Sequence, residues 1–292
     1  MAKKQTKGFF EIDRRRVVRL NEVATLIEAS GTLDKEYDSV LEKKHAQLEE
    51  FQTLMYAGRA RAMLIVFQGM DTSGKDGAIK HVMSGVNPQG CAVVSFKTPS
   101  QFELDHDFLW RVNVALPVRG MIGIFNRSYY EEALITRVHP ELLIAEKLPT
   151  GKKHDKRFWE HRYQDILNHE NYLHRQGYEI VKIFIHISKE EQKRRLLARF
   201  EDAKKHWKIS EGDIHERSFW KEYQKAYEEC LGRTGSKENP WYIVPGDDKK
   251  SARLSIATIL CQRFEAMGLS NPELSHKDKR NLSKLKALLK KD

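Results

Sequence analysis

Cysteine is scarce in this chain: Cys91, Cys230 and Cys261 are the only three, and they stand far apart. An odd number at such spacing provides no disulfide framework, no Cys-x-x-Cys redox pair and no Cys/His zinc cluster. Three reduced thiols in a cytoplasmic protein are expected. Long hydrophobic runs are missing as well. No apolar stretch approaches the ~20 residues that a membrane-spanning helix requires. The N-terminal Met1-Ala-Lys-Lys-Gln-Thr-Lys7 leads to Phe9-Phe10 and then Glu11, without the apolar core of a signal peptide. Internal repeats and low-complexity segments are absent. His106, His139 and His161 lack metal-ligand spacing, and no Ser/His/Asp arrangement or paired acid and base stands out.

Charge of one sign is also less abundant than the total implies. The net charge is +10, but residues 1–20 carry +5 of it and residues 276–292 another +5, so the body over 21–275 is neutral. The high pI therefore says little about nucleic-acid binding by the fold. Neither nucleic acid nor a membrane is expected as a partner. The basic tails read as solvated extensions or as contacts within a homo-oligomer.

Strands alternate with helices along the chain. Ala62-Met-Leu-Ile-Val-Phe67 is a short run without polar alternation, as in a parallel strand buried on both faces. Further strands are expected at 92–96, 121–125, 179–187 and 241–245. Helices are expected over 78–83, 101–115, 157–175 and 251–267, with another opened by Ser188 and Glu191 as a capping box. Residues 1–60 read as a helical N-terminal extension, 61–268 as an α/β domain, and 269–292 as a basic tail. The pattern predicts a doubly wound parallel sheet between helical layers.

Gly69-Met-Asp-Thr-Ser-Gly-Lys-Asp76 sits between the first strand and the first core helix. Glycines at 69 and 74 let the backbone curl so that its N–H groups point inward, the following helix adds a partial positive charge, and Lys75 adds a full one. Thr72, Ser73, Gly74, Lys75, Asp76 and Gly77 are the expected phosphate-binding residues. The loop departs from the usual pattern at Asp76, where a Mg²⁺-binding hydroxyl normally stands. Asp76 suits either a metal or the positive end of the helix, and Asp71 is read as a metal ligand. At the end of the third strand, Asn126-Arg127-Ser128 replaces a Walker B carboxylate. Asn126 can offer a carbonyl to Mg²⁺ and Arg127 a fork to phosphate oxygens, while an Asx-type turn accounts for the segment equally well.

Taken together, Val66-Phe-Gln-Gly-Met-Asp-Thr-Ser-Gly-Lys-Asp-Gly77, Phe125-Asn-Arg-Ser-Tyr-Tyr-Glu131, Trp207-Lys-Ile-Ser210 and Trp241-Tyr-Ile-Val-Pro-Gly-Asp-Asp-Lys249 resemble the polyphosphate kinase 2 family, from about residue 30 to 270. The resemblance implies a thymidylate-kinase-like, three-layer α/β/α fold with a parallel central sheet and a helical lid. It implies Mg²⁺-dependent, reversible phosphoryl transfer between inorganic polyphosphate and adenine nucleotides, with Mn²⁺ as a substitute metal and guanine nucleotides as further acceptors. It assigns phosphate binding to Lys75, a metal role to Asp71, a Walker B role to Asn126 and a phosphate contact to Arg127. Many relatives carry Asp at position 126. Asn126 followed by Glu131 resembles the subclass that phosphorylates both AMP and ADP.

A polyanionic donor calls for a basic track. Residues 147–162 hold six Lys/Arg against two acids, and 189–208 hold eight against four. Within the second cluster Arg195 and Arg199 share a helix face and are expected to contact phosphate. The polar stretch Asp202–Asp213 belongs to a lid over about 200–218. The aromatics Phe219, Tyr223 and Tyr227 follow it at helical spacing. An ATP-dependent nucleotide monophosphate kinase on the same fold is the competing enzyme reading, and a polyanion binder using the basic tails is the competing non-enzymatic one.

Overall fold

The computed structural model describes residues 8–27, 31–148 and 155–290, without the side chains of 31–35. Among these, β1 (Phe10–Ile12), β2 (Ala62–Gln68), β3 (Cys91–Ser95), β4 (Ile122–Asn126), β5 (Tyr178–His186) and β6 (Trp241–Pro245) form one sheet, in the order β1-β6-β5-β2-β4-β3. Every pairing is parallel except β1 with β6. The eleven helices of the described residues are α1 (Gly31–Gly58), α2 (Lys75–Val82), α3 (Gln101–Leu104), α4 (Trp110–Val114), α5 (Glu131–Val138), α6 (Lys156–Arg175), α7 (Lys189–Glu201), α8 (Glu211–Ser218), α9 (Trp220–Thr234), α10 (Lys249–Ala266) and α11 (His276–Leu289).

Strand β2 is buried along its whole length because both faces of the sheet are covered. Met63, Ile65 and Phe67 enter a core completed by Leu48 and Met55 of α1, Ile79 and Val82 of α2, and Ile256, Leu260 and Phe264 of α10. Leu64 and Val66 enter the opposite core with Leu134 of α5, Trp159 and Ile166 of α6, and Leu231 of α9. Each such side chain contributes about 1.5–3 kcal/mol when fully removed from water. The result is the expected three-layer α/β/α arrangement, with the carboxyl ends of β2, β4 and β5 along one edge of the sheet.

Local differences from the sequence reading have physical causes. The first sixty residues are not helical throughout. Phe10–Ile12 adds an antiparallel edge strand; Phe9, just before it, packs edge-on against Tyr242 in one core and Ile12 enters the other. A three-residue strand is too short to show alternation. The single helix expected over 101–115 is two, α3 and α4. Ser100 and Glu103 form a complete capping box that starts the first, and the Asp107 carboxylate accepts from the Leu109 N–H between them, so local side-chain bonds compete with continued helix. The segment read as a lid comprises a 3₁₀ turn, Ala203–Lys208, followed by α8. Of the 147–162 basic cluster, residues 149–154 lie outside the described residues, as does 1–7 of the N-terminal tail.

Candidate active site

The chain leaves β2 and enters α2 through a loop whose backbone only certain residues adopt easily. Gly69 has φ +152°, Gly74 φ +101°, and Thr72 φ +62°, a left-handed conformation that costs a residue with a Cβ on the order of 1 kcal/mol. A Cβ on Gly69 would meet Ser73 Oγ at 2.7 Å and the Ile185 carbonyl oxygen at 2.8 Å. The Ser73 N–H donates to the Met70 carbonyl at 3.0 Å, which closes the turn. The hydroxyls of Thr72 and Ser73 are buried with no protein partner. Helix α2 begins at Lys75, so the positive end of its dipole faces the loop.

Lys75 is buried, and its Nζ donates to the carbonyls of Gly69 at 2.6 Å and Met70 at 3.2 Å. Burial pushes its amine below the usual range. Asp71, Glu131 and Asp76 work against that lowering, while Arg127 adds to it. Burial likewise raises the Glu131 carboxyl, opposed by Arg127, Lys75 and a hydrogen bond from Gln68. For Arg127, burial disfavours the charge, but Glu131 and Asp71 outweigh it and push its pKa up. Two cations and three carboxylates thus share one electrostatic site.

The segment after β4 supplies the other half of the site. Arg127 has φ +64° and its N–H donates to the Phe67 carbonyl at 3.0 Å, which ties the turn to the end of β2. Its Nη2 donates to Asp71 Oδ1 at 2.9 Å. Asn126 Nδ2 donates to Asp76 Oδ1 at 2.6 Å, so the amide nitrogen faces Asp76 and the amide oxygen is left for other partners. The structure therefore brings Asp71, Thr72, Ser73, Gly74, Lys75, Asp76, Gly77, Asn126, Arg127 and Glu131 together at the carboxyl ends of β2 and β4, where ligands bind in open α/β sheets.

Arg195, expected to contact phosphate, has its guanidinium committed to protein acceptors instead. It is 8 % exposed. Its Nη1 donates to the carbonyls of Thr72 at 3.0 Å and Ser73 at 2.7 Å, its Nη2 to those of Gly246 and Asp247, and its Nε to Glu191. The guanidinium braces the back of the phosphate loop against the turn after β6. Arg199, near the end of α7, donates from Nη1 to the Lys208 carbonyl at 3.0 Å and to Asp213 Oδ2 at 2.6 Å, tying α7 to the segment read as a lid. Tyr227 is buried and Tyr223 half-buried. Burial raises both phenols, and Asp71 and Glu131 raise them further.

Sequence reasoning gave no role to three further contributors. Gln192 Nε2 donates to the Asp71 carbonyl at 3.1 Å, and Arg217 of α8 donates to Gln192 Oε1 at 2.7 Å, linking α8 to the loop. Ser128 Oγ accepts from Gln68 Nε2 and from the Tyr130 N–H, each at 3.1 Å. Ser128 at least stood inside a motif, whereas Gln192 and Arg217 sit in ordinary polar helix surface.

Asp71, Asp76 and Asn126 present hard oxygen donors beside a phosphate cradle, which fits Mg²⁺ or Mn²⁺. Among the described residues no three His, Cys, Asp or Glu side chains converge as a self-sufficient metal cage. The donor set fits the way Mg²⁺ is usually bound, through one or two carboxylates with water and substrate phosphate completing the shell.

Residues 32–272 match the family model described as polyphosphate kinase 2. The chain is 45 % identical over 282 residues to an ADP-polyphosphate phosphotransferase of Rhodopseudomonas palustris, covering 97 % of this chain and 98 % of that one. It is 38 % identical over 227 residues to an AMP/ADP-polyphosphate phosphotransferase of Meiothermus ruber, covering 78 % and 80 %. Its fold is similar to the crystal structure of polyphosphate kinase 2 from Arthrobacter aurescens, with a TM-score of 0.78 and 32 % identity over 93 % of this chain and 99 % of that one. From the helix that precedes the phosphate loop to the tail that follows α10, this chain belongs to the polyphosphate kinase 2 family.

Proposed function

We propose that this protein transfers the terminal phosphoryl group of inorganic polyphosphate to AMP and to ADP, reversibly and with Mg²⁺. The observation that carries the reading is the convergence of Lys75 and Arg127 with Asp71, Asp76 and Asn126 at the carboxyl ends of β2 and β4. The donor is named by the relatives: the Rhodopseudomonas palustris and Meiothermus ruber proteins both carry polyphosphate in their names.

In the forward direction an oxygen of the acceptor's terminal phosphate bonds to the terminal phosphorus of polyphosphate. The bridging P–O bond breaks, and the chain leaves one phosphate shorter. The attacking oxygen is already an anion, so no general base is needed, and catalysis rests on positioning and charge neutralisation. The loop N–H groups and Lys75 hold the transferring phosphoryl group, Arg127 offers its remaining donors to phosphate oxygens, and the lid excludes water. Asp71, Asp76 and the Asn126 side-chain carbonyl would hold Mg²⁺, which would supply neutralisation of phosphate charge. Asn126 and Glu131 support acceptance of both AMP and ADP. The same reading includes guanine nucleotides as further acceptors and a homo-oligomer in solution.

The test is incubation with Mg²⁺, polyphosphate and either AMP or ADP, followed by nucleotide analysis. ADP from AMP and ATP from ADP are expected. Brisk transfer from ATP to AMP with none from polyphosphate overturns the donor and favours a monophosphate kinase. ATP from ADP without ADP from AMP removes only the AMP-accepting subclass.

A further inference from the structure

A lysine in the middle of a central strand is out of place by composition. Lys182 stands in β5 between Val181 and Ile183, paired with Val66 of β2, and its side chain is 0 % exposed. An apolar residue would fill that space without the cost of removing a charge from water. The lysine is fully satisfied: Nζ donates to Glu170 Oε2 at 2.7 Å, to the Thr234 carbonyl at 2.7 Å and to the Tyr130 hydroxyl at 3.1 Å. Glu170, on α6, is equally buried. Its Oε1 accepts from the Tyr129 hydroxyl at 2.8 Å and the Tyr130 hydroxyl at 2.7 Å. Burial lowers the Lys182 amine, with Glu170 opposing, and drives both phenols well up, so each tyrosine is a neutral donor.

Tyr129 and Tyr130 are the residues between Arg127-Ser128 and Glu131, so the buried quartet joins the site directly through its two tyrosines. We propose that Tyr129, Tyr130, Glu170 and Lys182 are positioning residues that hold the turn after β4 in the conformation that aims Arg127 and Glu131 at the phosphates. This inference rests on the active-site reading above.

Three features carry it. Arg127 occupies a left-handed backbone conformation that persists only where its neighbours are fixed. Two adjacent tyrosines converging on one carboxylate oxygen remove the freedom of that turn to twist, since rotation about either would break a buried hydrogen bond. From the other side Ser128 is tied to Gln68, and Arg127 N–H to Phe67, so the turn is held against β2 as well as against the interior. The ion pair gives the tyrosines a charged acceptor that is itself immobile. Glu170 is anchored by Lys182, and Lys182 by the carbonyl of Thr234, whose hydroxyl also accepts from Trp241 Nε1 at 2.9 Å.

The test is the Tyr129→Phe/Tyr130→Phe double variant, which keeps both rings and the ion pair and deletes only the hydroxyl links. A small misplacement of a charge-stabilising group is costly, so kcat is expected to fall on the order of tenfold or more. It is measured well below Tm, with KM for nucleotide changed little. Adding Arg127→Ala is expected to cost the double variant less than the same substitution costs the wild type, because the hydroxyls act through that side chain. A merely structural role lowers Tm, leaves kcat within twofold and makes the losses additive, and that result overturns the proposal. Turnover lost in Arg127→Ala but kept in the double variant overturns the positioning alone. Turnover kept in both overturns the site assignment and the positioning with it. If the double variant fails to fold, each single Tyr→Phe variant is put to the same kinetic comparison.

Discussion

At the scale of single residues, Lys75 bears the closest relation to chemistry. Its ammonium is buried among loop carbonyls and carboxylates, where one charge counts for more than it would in water. Lys75→Ala is expected to lower kcat about 10²-fold or more, by the measure of other preorganised charge-stabilising donors. Steady-state kinetics on a variant with unchanged circular dichroism checks this. Glu132 is the residue to examine by pH. Burial, with Glu146 adding and Arg111 and Arg162 opposing, pushes its carboxyl up to about 7. A folded-state pKa above the unfolded value favours the protonated form, so that stabilisation is full below the ordinary carboxylate range and is lost as pH rises through about 7. Tm should therefore fall between pH 5.5 and pH 8 by more in the wild type than in Glu132→Gln, as thermal melts in matched buffers would show. Lys75 was legible because a glycine-bounded loop after a buried strand has few other uses. Glu132 was not, because nothing in Glu131-Glu132 tells which carboxyl faces the site and which faces Arg111.

At the scale of elements, β2, the loop and α2 were readable from sequence because apolar run, turn chemistry and helix start follow in order. The relation of α7 to the loop was not. Spacing puts Arg195 and Arg199 on one helix face, but only tertiary packing turns the first inward against the Thr72 and Ser73 carbonyls and leaves the second to Asp213 in the lid. Their substitutions should separate accordingly. Arg195→Ala strips several buried acceptors of their partner and leaves Glu191 short of one cation. It is expected to cost roughly 2–4 kcal/mol of stability as well as activity. Arg199→Ala removes a half-exposed pair and is expected to lower kcat with a stability change of about 1 kcal/mol or less. Denaturant unfolding beside kinetics resolves the two. The lid–loop link through Arg217, Gln192 and the Asp71 carbonyl was invisible for the same reason: polar side chains on a solvated helix carry no mark of what they will meet.

For the whole molecule, the two basic ends that look alike in composition are unlike in structure. The N-terminal end contributes β1 and the buried Phe9, Ile12, Val18 and Leu20, and the Leu20 N–H donates to Glu228 Oε1 at 2.7 Å. The C-terminal helix α11 is exposed along its length. Deleting residues 1–20 is therefore expected to lower Tm by on the order of 10 °C or more. Deleting 276–292 should leave Tm within about 2 °C, because exposed residues away from packed features contribute little. Differential scanning calorimetry of both truncations tests the contrast. Charge counting cannot distinguish a tail from a strand when only three residues pair.

The order of the sheet also has a consequence for synthesis. Strand β2 pairs with β4 and β5, both of which follow it in the chain, and β1 pairs only with β6 near the other end, Phe10 lying opposite Ile243. A growing polypeptide that has just made its phosphate loop has no neighbour for the strand that carries it. The first neighbour arrives with Ile122, the second with Tyr178, and the edge strand waits almost to the end. Pairings of such long sequence separation form slowly, since loop closure must precede any contact that stabilises it. A ribosome that stalls before β5 thus releases a fragment with an incompletely sheltered apolar strand and an unfinished cradle, which makes a chain that extends through β6 and α10 the smallest species expected to escape aggregation unaided.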